Sequence, residues 1–485
     1  MKKVTVYLLT ICLVTVSGIA LSQEKHTLQD DVNLWINDPA LEHASIGIYM
    51  LDADHGKVLA ETSPQLSLVP GSILKLLTTS TALDMLGADY RFKTRVAYSG
   101  EIRNDTLVGN LYVIGGGDPA LGSKYFKDHY LKNNFLDQWV NAIQQLHIKY
   151  ITGNLITDAT IFEDQLIPNT WIWEDLGNYY GAGACGLSVY DDMYKIHFSS
   201  PQEAGQPTKV EYTNPFIPEL KLNNQVTSSD INRDEAYVFG APTENTRVIR
   251  GTIPKDRTDY VVKASIPNPP YLLAWQLTSR LQDANISMAG MIKSRKYKET
   301  LPKLHPITKT VSPPLIDLIR VTNHESVNLF AEHLLKYLSF LMDGQGSTKG
   351  GIKVVTDFWQ QRGIDMDGLF MADGSGLSRF NSVTPKEIVE VLNYMKNKSP
   401  NGNDFFSSLA YVPNGTLHYF NPVNFPGTTL RAKSGSMTRV RCFAGQLITK
   451  RHQTILFSIM LNNFSCSQHK AIKLAEELLV DASND

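Results

Sequence analysis

A serine and a lysine one helical turn apart carry the clearest chemistry in this sequence. Ser72 and Lys75 open a largely apolar stretch that runs to Leu86 without glycine or proline. Residues three positions apart lie on the same face of a helix, so the Lys75 amine can reach the Ser72 hydroxyl. Burial favours the neutral form of an amine, and a neutral Lys75 can take the proton of Ser72. The pair predicts a serine nucleophile with a lysine base.

Two later motifs supply further groups for the same chemistry. Ser326 and Asn328 form the second motif, and the run Lys433, Ser434 and Gly435 forms the third. A lysine beside a hydroxyl suits a substrate carboxylate, while glycine lets a substrate backbone come close. The three motifs together predict acyl transfer on a substrate that carries a carboxylate.

The order of the motifs selects Ser72 among three candidate serines. The Ser-x-x-Lys pattern also occurs at 22–25 and 467–470. The first of these straddles a predicted cleavage site, and the second lies after Lys433. Only Ser72 both lies clear of the cleavage site and precedes the other two motifs, so the pattern alone is weak evidence and the ordered set is strong evidence.

The elements expected to position these groups come from both ends of the chain. Alternating apolar residues and turn signals predict two β-hairpins, and glycine-free apolar stretches predict helices. The predicted elements are a hairpin at 45–51 and 57–61, a helix at 72–86 ended by Gly87, a hairpin at 440–447 and 453–461, and a helix at 467–480. Between them, residues 92–305 show short strands and turns, with the most polar strands at 198–251. The pattern predicts an α/β domain with a large β-rich insertion.

Composition excludes several classes of protein. The chain has 485 residues, with 46 basic and 48 acidic side chains and a net charge of −2, which argues against nucleic-acid binding. With 42% hydrophobic and 19% charged residues, it is neither disordered nor a multi-span membrane protein. The amino terminus, with Lys2, Lys3 and an apolar run at 4–20, predicts a signal peptide over 1–22. An uncleaved membrane anchor remains the alternative.

Cysteine and histidine patterns indicate neither a disulfide scaffold nor a metal site. Cys185, Cys442 and Cys466 would remain after cleavage, and Cys442 could pair with Cys466. Neither Cys-x-x-Cys nor His-Glu-x-x-His occurs, so we expect no zinc, no other metal and no cofactor.

Taken together, the motifs resemble those of the class C low-molecular-mass penicillin-binding proteins, the DacB-type D-alanyl-D-alanine carboxypeptidase/endopeptidase family. The resemblance covers nearly all of the chain after the signal peptide. The matching strings are 68–76, 115–119, 179–181, 187–188, 373–379, Asn381 and 384–385. The string 373–379 is the most specific of these. Ser434 stands where the family usually has threonine, and Val327 stands where an aspartate is common.

This resemblance implies a fold and a domain division. The implied fold class is α/β (α+β): a serine β-lactamase/transpeptidase-like domain, with an antiparallel sheet flanked by helices, plus inserted β-rich domains. The implied division is a signal peptide at 1–22, a catalytic domain at 23–92 and 306–485, an inserted domain II at 93–196 and 256–305, and an inserted β-rich domain III at 197–255.

The resemblance also implies catalytic roles. Ser72 would attack the carbonyl of the penultimate D-alanine, and Lys75 would take its proton. The remaining implied roles are proton relay by Ser326, contact with the substrate amide by Asn328, carboxylate binding by Lys433 and Ser434, and an oxyanion hole formed by the backbone N–H groups of Ser72 and Ser436. Water would then release the acyl-enzyme.

Substrate selection is assigned to a further set of residues. In the family, the arginine matched by Arg379 binds the charged end of a diamino acid in the peptide. The other candidates are Gly435 for backbone approach, Leu377 and Met437 as apolar walls, and Asp175 and Tyr180 as an ammonium-binding side. Trp171 and Trp173 fit either this site or domain packing, and Asp373 and Gly374 are interpreted as turn residues.

The resulting hypothesis is a periplasmic enzyme that acts on peptidoglycan peptides and reacts with β-lactams. A homo-oligomer and at most peripheral membrane contact are compatible with it. A β-lactamase or esterase on the same scaffold, or a catalytically silent peptidoglycan-binding module, are the alternatives. The string 219–223 matches the Glu-x-x-Leu-Asn of class A β-lactamases, but it precedes the second motif, so we interpret Glu219 as part of the inserted module.

Overall fold

The computed structural model describes residues 26–131 and 134–484. The predicted signal peptide therefore lies outside the described residues. The helices are α1 (Leu28–Trp35), α2 (Lys75–Leu86), α3 (Lys127–Leu131), α4 (Phe135–Gln145), α5 (Trp173–Leu176), α6 (Pro269–Asp283), α7 (Leu315–Glu325), α8 (Asn328–Asp343), α9 (Thr348–Gln360), α10 (Pro385–Asn397), α11 (Gly402–Ser407) and α12 (Gln468–Asn484).

Strands are distributed over the whole described chain. They are β1 (Ser45–Asp52), β2 (Lys57–Thr62), β3 (Lys93–Tyr98), β4 (Glu101–Arg103), β5 (Thr106–Val108), β6 (Leu111–Ile114), β7 (Tyr150–Ile151), β8 (Leu155–Asp158), β9 (Met193–Ser200), β10 (Lys209–Asn214), β11 (Lys221–Ser229), β12 (Tyr237–Phe239), β13 (Thr246–Pro254), β14 (Arg257–Ser265), β15 (Ser287–Met288), β16 (Ile292–Ser294), β17 (His305–Val311), β18 (Ala410–Tyr411), β19 (Thr429–Met437), β20 (Val440–Ile448) and β21 (Thr454–Asn462).

A six-stranded antiparallel sheet joins the two ends of the chain, in the order β18-β19-β20-β21-β1-β2. Alternate side chains of each strand point to opposite faces, and both faces are buried. On β1, Ile48 and Met50 pack in a core with α1 and α12, whereas Tyr49 and Leu51 pack in a core with α2, α8 and α10. This antiparallel sheet flanked by helices is the fold class that the sequence predicted.

Both predicted hairpins are present, as β1–β2 and β20–β21. The predicted helix at 72–86 begins as a 3₁₀ turn over Gly71–Leu74 and continues as α2, and Gly87 ends it with φ at 82°. Helix α12 extends four residues past the predicted end at 480, to Asn484. Local patterns predicted these elements because each has its own periodicity and its own stop signal.

Four smaller sheets form the region between β2 and α7. The sheets β16-β8-β6-β3-β17 and β15-β7-β5-β4 share a core with α4 and α6. The sheets β10-β9-β14 and β11-β13-β12 form a second core. Strand β17 pairs with β3, and β14 pairs with β9, so residues 306–311 and 257–261 pair across the predicted domain boundaries. The domain division itself stays a prediction.

Two features, a membrane-spanning helix and a group of metal-binding side chains, are absent from the described residues. None of their helices has the length and apolar character needed to cross a membrane. None of their histidine, cysteine, aspartate and glutamate side chains form a group of three or more suited to hold a metal ion.

Candidate active site

Ser72 and Lys75 meet at the start of α2. Ser72 lies in the 3₁₀ turn and is half-buried, while Lys75 is fully buried at the first position of α2. Lys75 Nζ lies 2.9 Å from Ser72 Oγ. The predicted pairing of hydroxyl and amine is therefore present in the structure.

Lys75 Nζ is surrounded by three oxygen atoms. Besides Ser72 Oγ, these are Asn328 Oδ1 at 2.6 Å and the Ser375 carbonyl oxygen at 2.7 Å. Burial lowers the pKa of Lys75 to about 7, although the negative charges of Asp373 and Glu332 act in the opposite direction. A large fraction of Lys75 is therefore neutral at neutral pH.

The second motif lies where α7 meets α8. Ser326 has a left-handed backbone, with φ at 61°, and this conformation turns the chain into α8. Asn328 begins α8, and its Nδ2 donates to the Tyr180 carbonyl oxygen at 2.9 Å. Within the described residues the half-buried Ser326 hydroxyl makes no hydrogen bond. Lys75 therefore makes a hydrogen bond to Asn328 but none to Ser326.

The third motif lies at an open edge of the main sheet. Strand β18 pairs with β19 only as far as Ala432, so the edge is free of a strand from Lys433 onward. A Cβ on Gly435 would lie 2.2 Å from the Pro70 carbonyl oxygen and 3.0 Å from the Ser72 amide nitrogen. Gly435 is therefore required for the approach of β19 to the Ser72 segment. The sequence predicted a different role for this glycine, namely that its small size lets a substrate backbone come close.

Lys433 is the second buried amine of the site. It is fully buried, and its Nζ donates to the Ser434 carbonyl oxygen at 2.7 Å. Burial lowers its pKa well below the ordinary value, and the charges of Lys75 and Arg441 lower it further. Burial is the largest cause at both lysines, and a charge on Lys75 further disfavours the charged form of Lys433.

A buried turn supports Lys75 from the other side. Asp373 accepts hydrogen bonds from the backbone of Gly376 and Ser378 and from the side chains of Asn381 and Trp171, at 2.6–2.8 Å. These four donors fix the turn that presents the Ser375 carbonyl to Lys75. The interpretation of Asp373 as a turn residue is confirmed.

Sequence analysis missed Glu332. This fully buried carboxyl lies on α8 one turn after Asn328, and it accepts from the amides of Gly374 at 3.0 Å and Ser375 at 2.7 Å. Burial and the neighbouring Asp373 raise its pKa to about 7. An acidic residue four positions after Asn328, on the same face of the helix, was the signal that could have identified it.

Three of the predicted substrate-binding residues lie together beside this turn. Tyr180 and the positive charge of exposed Arg379 both favour the charged form of the Asp175 carboxyl and lower its pKa. Burial is the largest effect and raises the pKa of Asp175 above its ordinary value. Leu377 is half-buried in the turn, and Met437 packs against the core at the end of β19.

The structure separates the two tryptophans. The Trp171 indole is buried and donates to Asp373 Oδ2 at 2.8 Å, so it is a packing residue. Trp173 is 56% exposed. Glu219 lies in a turn before β11, where it accepts from the Tyr271 hydroxyl at 3.3 Å, and its assignment to the inserted module stays a prediction.

The cysteines contribute no crosslink to the site. Cys442 and Cys466, which could have paired, are both free, as is Cys185. The Cys442 thiol instead contacts the Val69 carbonyl oxygen at 3.5 Å.

Comparison with known proteins places this geometry in a family. Residues 28–482 match the D-Ala-D-Ala carboxypeptidase 3 (S13) family. The chain is 25% identical, over 93% of its length and 83% of the relative, to a D-alanyl-D-alanine carboxypeptidase of Actinomadura sp. (strain R39).

Solved structures show the same fold. Penicillin binding protein 4 of Haemophilus influenzae superposes with a TM-score of 0.78 at 21% identity, covering 91% of this chain and 97% of the other. The same protein has been solved with a bound β-lactam, with a TM-score of 0.72 at 20% identity and the same coverage. A predatory peptidoglycan endopeptidase of Bdellovibrio bacteriovorus superposes with a TM-score of 0.51 at 15% identity, covering 91% and 93%. With a family match that spans nearly all of its length, the chain belongs to the D-Ala-D-Ala carboxypeptidase 3 (S13) family.

Proposed function

We propose that this chain cleaves D-alanyl-D-alanine peptide bonds of peptidoglycan through an acyl-enzyme on Ser72, with Lys75 as the general base. One observation carries this assignment. Of the three oxygen atoms around Lys75 Nζ, only Ser72 Oγ carries a hydrogen of its own that it can donate to the amine. A neutral Lys75 can donate its two N–H groups to Asn328 and Ser375 and present its lone pair to the Ser72 proton.

Acylation follows from this arrangement. Ser72 Oγ bonds to the carbonyl carbon of the penultimate D-alanine while its proton moves to Lys75 Nζ. The carbon–nitrogen bond to the terminal D-alanine then breaks, and the leaving amine takes a proton through the Ser326 hydroxyl, which is free to rotate. Water attacks the ester, releases the shortened peptide and restores the Ser72 hydroxyl.

The oxyanion is assigned to the backbone amides of Ser72 and Ser436. Preorganised amides that point to the developing charge stabilise the tetrahedral intermediate. Support comes from the contact of β19 with the Ser72 segment, where a Cβ on Gly71 would lie 3.0 Å from the Ser436 nitrogen. The two amide groups therefore lie on adjoining backbones.

Lys433 and Ser434 are proposed to bind the terminal carboxylate. A substrate anion would raise the depressed pKa of Lys433 and keep its amine charged. Arg379, Asp175 and Tyr180 are proposed to bind the charged end of the diamino acid, with the remaining wall formed by Leu377 and Met437.

The relatives support two related activities and a reaction with β-lactams. The similarity to a carboxypeptidase and to an endopeptidase supports release of terminal D-alanine and cleavage of crosslinks. The β-lactam complex of the Haemophilus protein supports acylation by penicillin. We further propose export through residues 1–22 to the periplasm. A homo-oligomer and peripheral membrane contact stay predictions.

A labelling experiment tests the function. The protein is incubated with penicillin, its mass is measured, and D-alanine release from purified muropeptides is assayed. A stable penicilloyl adduct on Ser72, lost in Ser72→Ala together with D-alanine release, is expected. Rapid turnover of nitrocefin would indicate a β-lactamase, and absence of both adduct and release would indicate a silent binding module.

A further inference from the structure

The insertion contains an open cleft that the proposed catalysis does not use. One face of the sheet β16-β8-β6-β3-β17 is covered by α4 and α6, through residues such as Val96 and Val113. The other face forms a cleft of about 1260 Å³, whose opposite wall includes Tyr337 and Phe340 from the last turns of α8. This face of the sheet is therefore accessible from outside.

The cleft has a strong excess of positive charge. Its basic residues are Arg91, Lys93, Arg95, Arg295, Lys298 and Lys309. Asp158 is the one acidic residue that lines it, and Asp158 already pairs with Arg295 at 3.0 Å. The whole chain carries a net charge of −2, so this concentration of basic residues is a local feature.

Two of these cations face each other on neighbouring strands. Arg95 of β3 and Lys309 of β17 are direct partners in the antiparallel register. Like charges placed opposite each other destabilise a sheet. Within the described residues neither side chain makes an ion pair, and neither does Lys93. The repulsion between Arg95 and Lys309 lowers the stability of the free protein, and a bound anion would relieve this repulsion.

Apolar groups lie beside the cations. Tyr297 and Leu301, which line the cleft, are 45% and 37% exposed, and Leu304 and Phe340 are also part of its apolar lining. A bare inorganic anion would leave these groups without contacts. The lining suits a ligand that carries both carboxylates and apolar or ring surfaces, since arginine binds carboxylates through paired hydrogen bonds and tyrosine packs its ring while its hydroxyl stays hydrated.

Helix α8 connects this cleft to the site of catalysis. It begins at Asn328, beside Lys75, and reaches the cleft at Phe340. Twelve residues of helix span about 18 Å. A polymer that carries peptides at intervals is long enough to occupy both places.

We propose that the cleft binds a second, carboxylate-bearing peptide segment of the same peptidoglycan polymer whose peptide is cut at Ser72. This proposal rests on the proposed function. The cleft increases the affinity for the polymer and leaves the reaction with small substrates unchanged.

The test uses the full chain with Arg95→Gln/Lys309→Gln, and Lys57→Gln/Lys221→Gln as a control with the same change of charge. Lys57 and Lys221 are exposed lysines without an ion pair elsewhere on the described chain. Binding is measured by sedimentation with purified sacculi that have been stripped of phosphate polymers, at low and high salt, in a Ser72→Ala background. Penicillin acylation and D-alanine release from a soluble pentapeptide are measured with Ser72 in place.

Wild-type protein is expected to bind the stripped sacculi in a salt-sensitive manner, and the double variant about fivefold more weakly. The control should bind like wild type, and the double variant should be at least as heat-stable as wild type, because a repulsive pair has been removed. Equal binding by the two double variants, or binding to polyphosphate but not to stripped sacculi, would overturn the proposal. A failure of penicillin to acylate wild type would instead overturn the function proposed for Ser72, so the two failures are distinguishable.

Discussion

At the scale of single residues, the site depends on a lysine that loses its charge when it is buried. Lys75 is fully enclosed, and burial outweighs the two carboxyl groups that favour its charged form. Two acceptors that do not react position the amine. Its lone pair therefore faces the third partner, Ser72, and can accept the Ser72 proton. Burial thus lowers the basicity of the lysine, and the two acceptors aim it.

We expect the rate of penicillin acylation to follow the ionisation of Lys75. The folded pKa of about 7 lies below the ordinary value, so the neutral, active form is populated above that pH and lost below it. The rate should fall by about tenfold per pH unit below the pKa and level off above it. Stopped-flow acylation across this range measures the profile, and a rate independent of pH between 5 and 8, an interval of about three units around the pKa, would contradict the assignment.

Glu332→Gln is expected to move that profile to lower pH. The amide can still accept from the Gly374 and Ser375 backbone, but it removes a negative charge that favours protonated Lys75. Glu387→Gln is a matched control, because Glu387 is also a buried carboxyl that accepts from backbone amides, at Gly368 and Thr384. If both variants kept the wild-type profile, Glu332 would have only a structural role.

At the scale of elements, β19 and the Ser72 turn form one unit because two glycines allow their backbones to touch. The sequence predicted the helix at 72–86 from its local pattern, whereas the predicted hairpin at 440–447 and 453–461 is β20–β21, next to β19. It could not predict that Gly435 faces Pro70, because this contact joins segments that are hundreds of residues apart in the chain. For the same reason Glu332 was missed: its partners lie on a turn that only tertiary packing brings to α8.

Gly435→Ala should separate β19 from the Ser72 turn. The added methyl would lie 2.2 Å from the Pro70 carbonyl oxygen, so the strand must shift and the Ser436 amide moves with it. Loss of one oxyanion donor lowers rates by about 100-fold or more, and we expect acylation to fall to that extent. Gly445→Ala on β20 is equally crowded, at 2.2 Å from the Arg431 carbonyl oxygen, but belongs to a different strand. An equal loss in both variants would show that the effect is general destabilisation.

At the scale of the whole molecule, the region between β2 and α7 contacts residues of the candidate active site directly. Trp171 binds the Asp373 carboxylate, and the Tyr180 carbonyl holds the Asn328 side chain. We therefore propose that the predicted inserted domain helps to shape the site. Its sheets also include the strands β14 and β17. The sequence placed Trp171 and Tyr180 near the site through a resemblance, but the indole bond to Asp373 required the structure.

Trp171→Phe should destabilise the protein by about 1–3 kcal/mol, because Asp373 loses one of its four donors in a buried place. Trp173→Phe is the control, since that side chain is 56% exposed. Urea unfolding gives the two free energies of unfolding. Equal free energies of unfolding for the two variants would mean that the hydrogen bond of the Trp171 indole contributes nothing to stability.

The pairing of β1 with β21 affects how this protein is made. Ser45 lies opposite Asn462, so the first hairpin has no inner neighbour until nearly the whole polypeptide has been synthesised. An isolated two-stranded hairpin is marginally stable in water, and its open edges invite the wrong partners. A chain that stops before residue 454 would lack β21 and could not assemble the sheet beside its own nucleophile. Premature termination should therefore yield aggregates or degradation products instead of a partly active hydrolase.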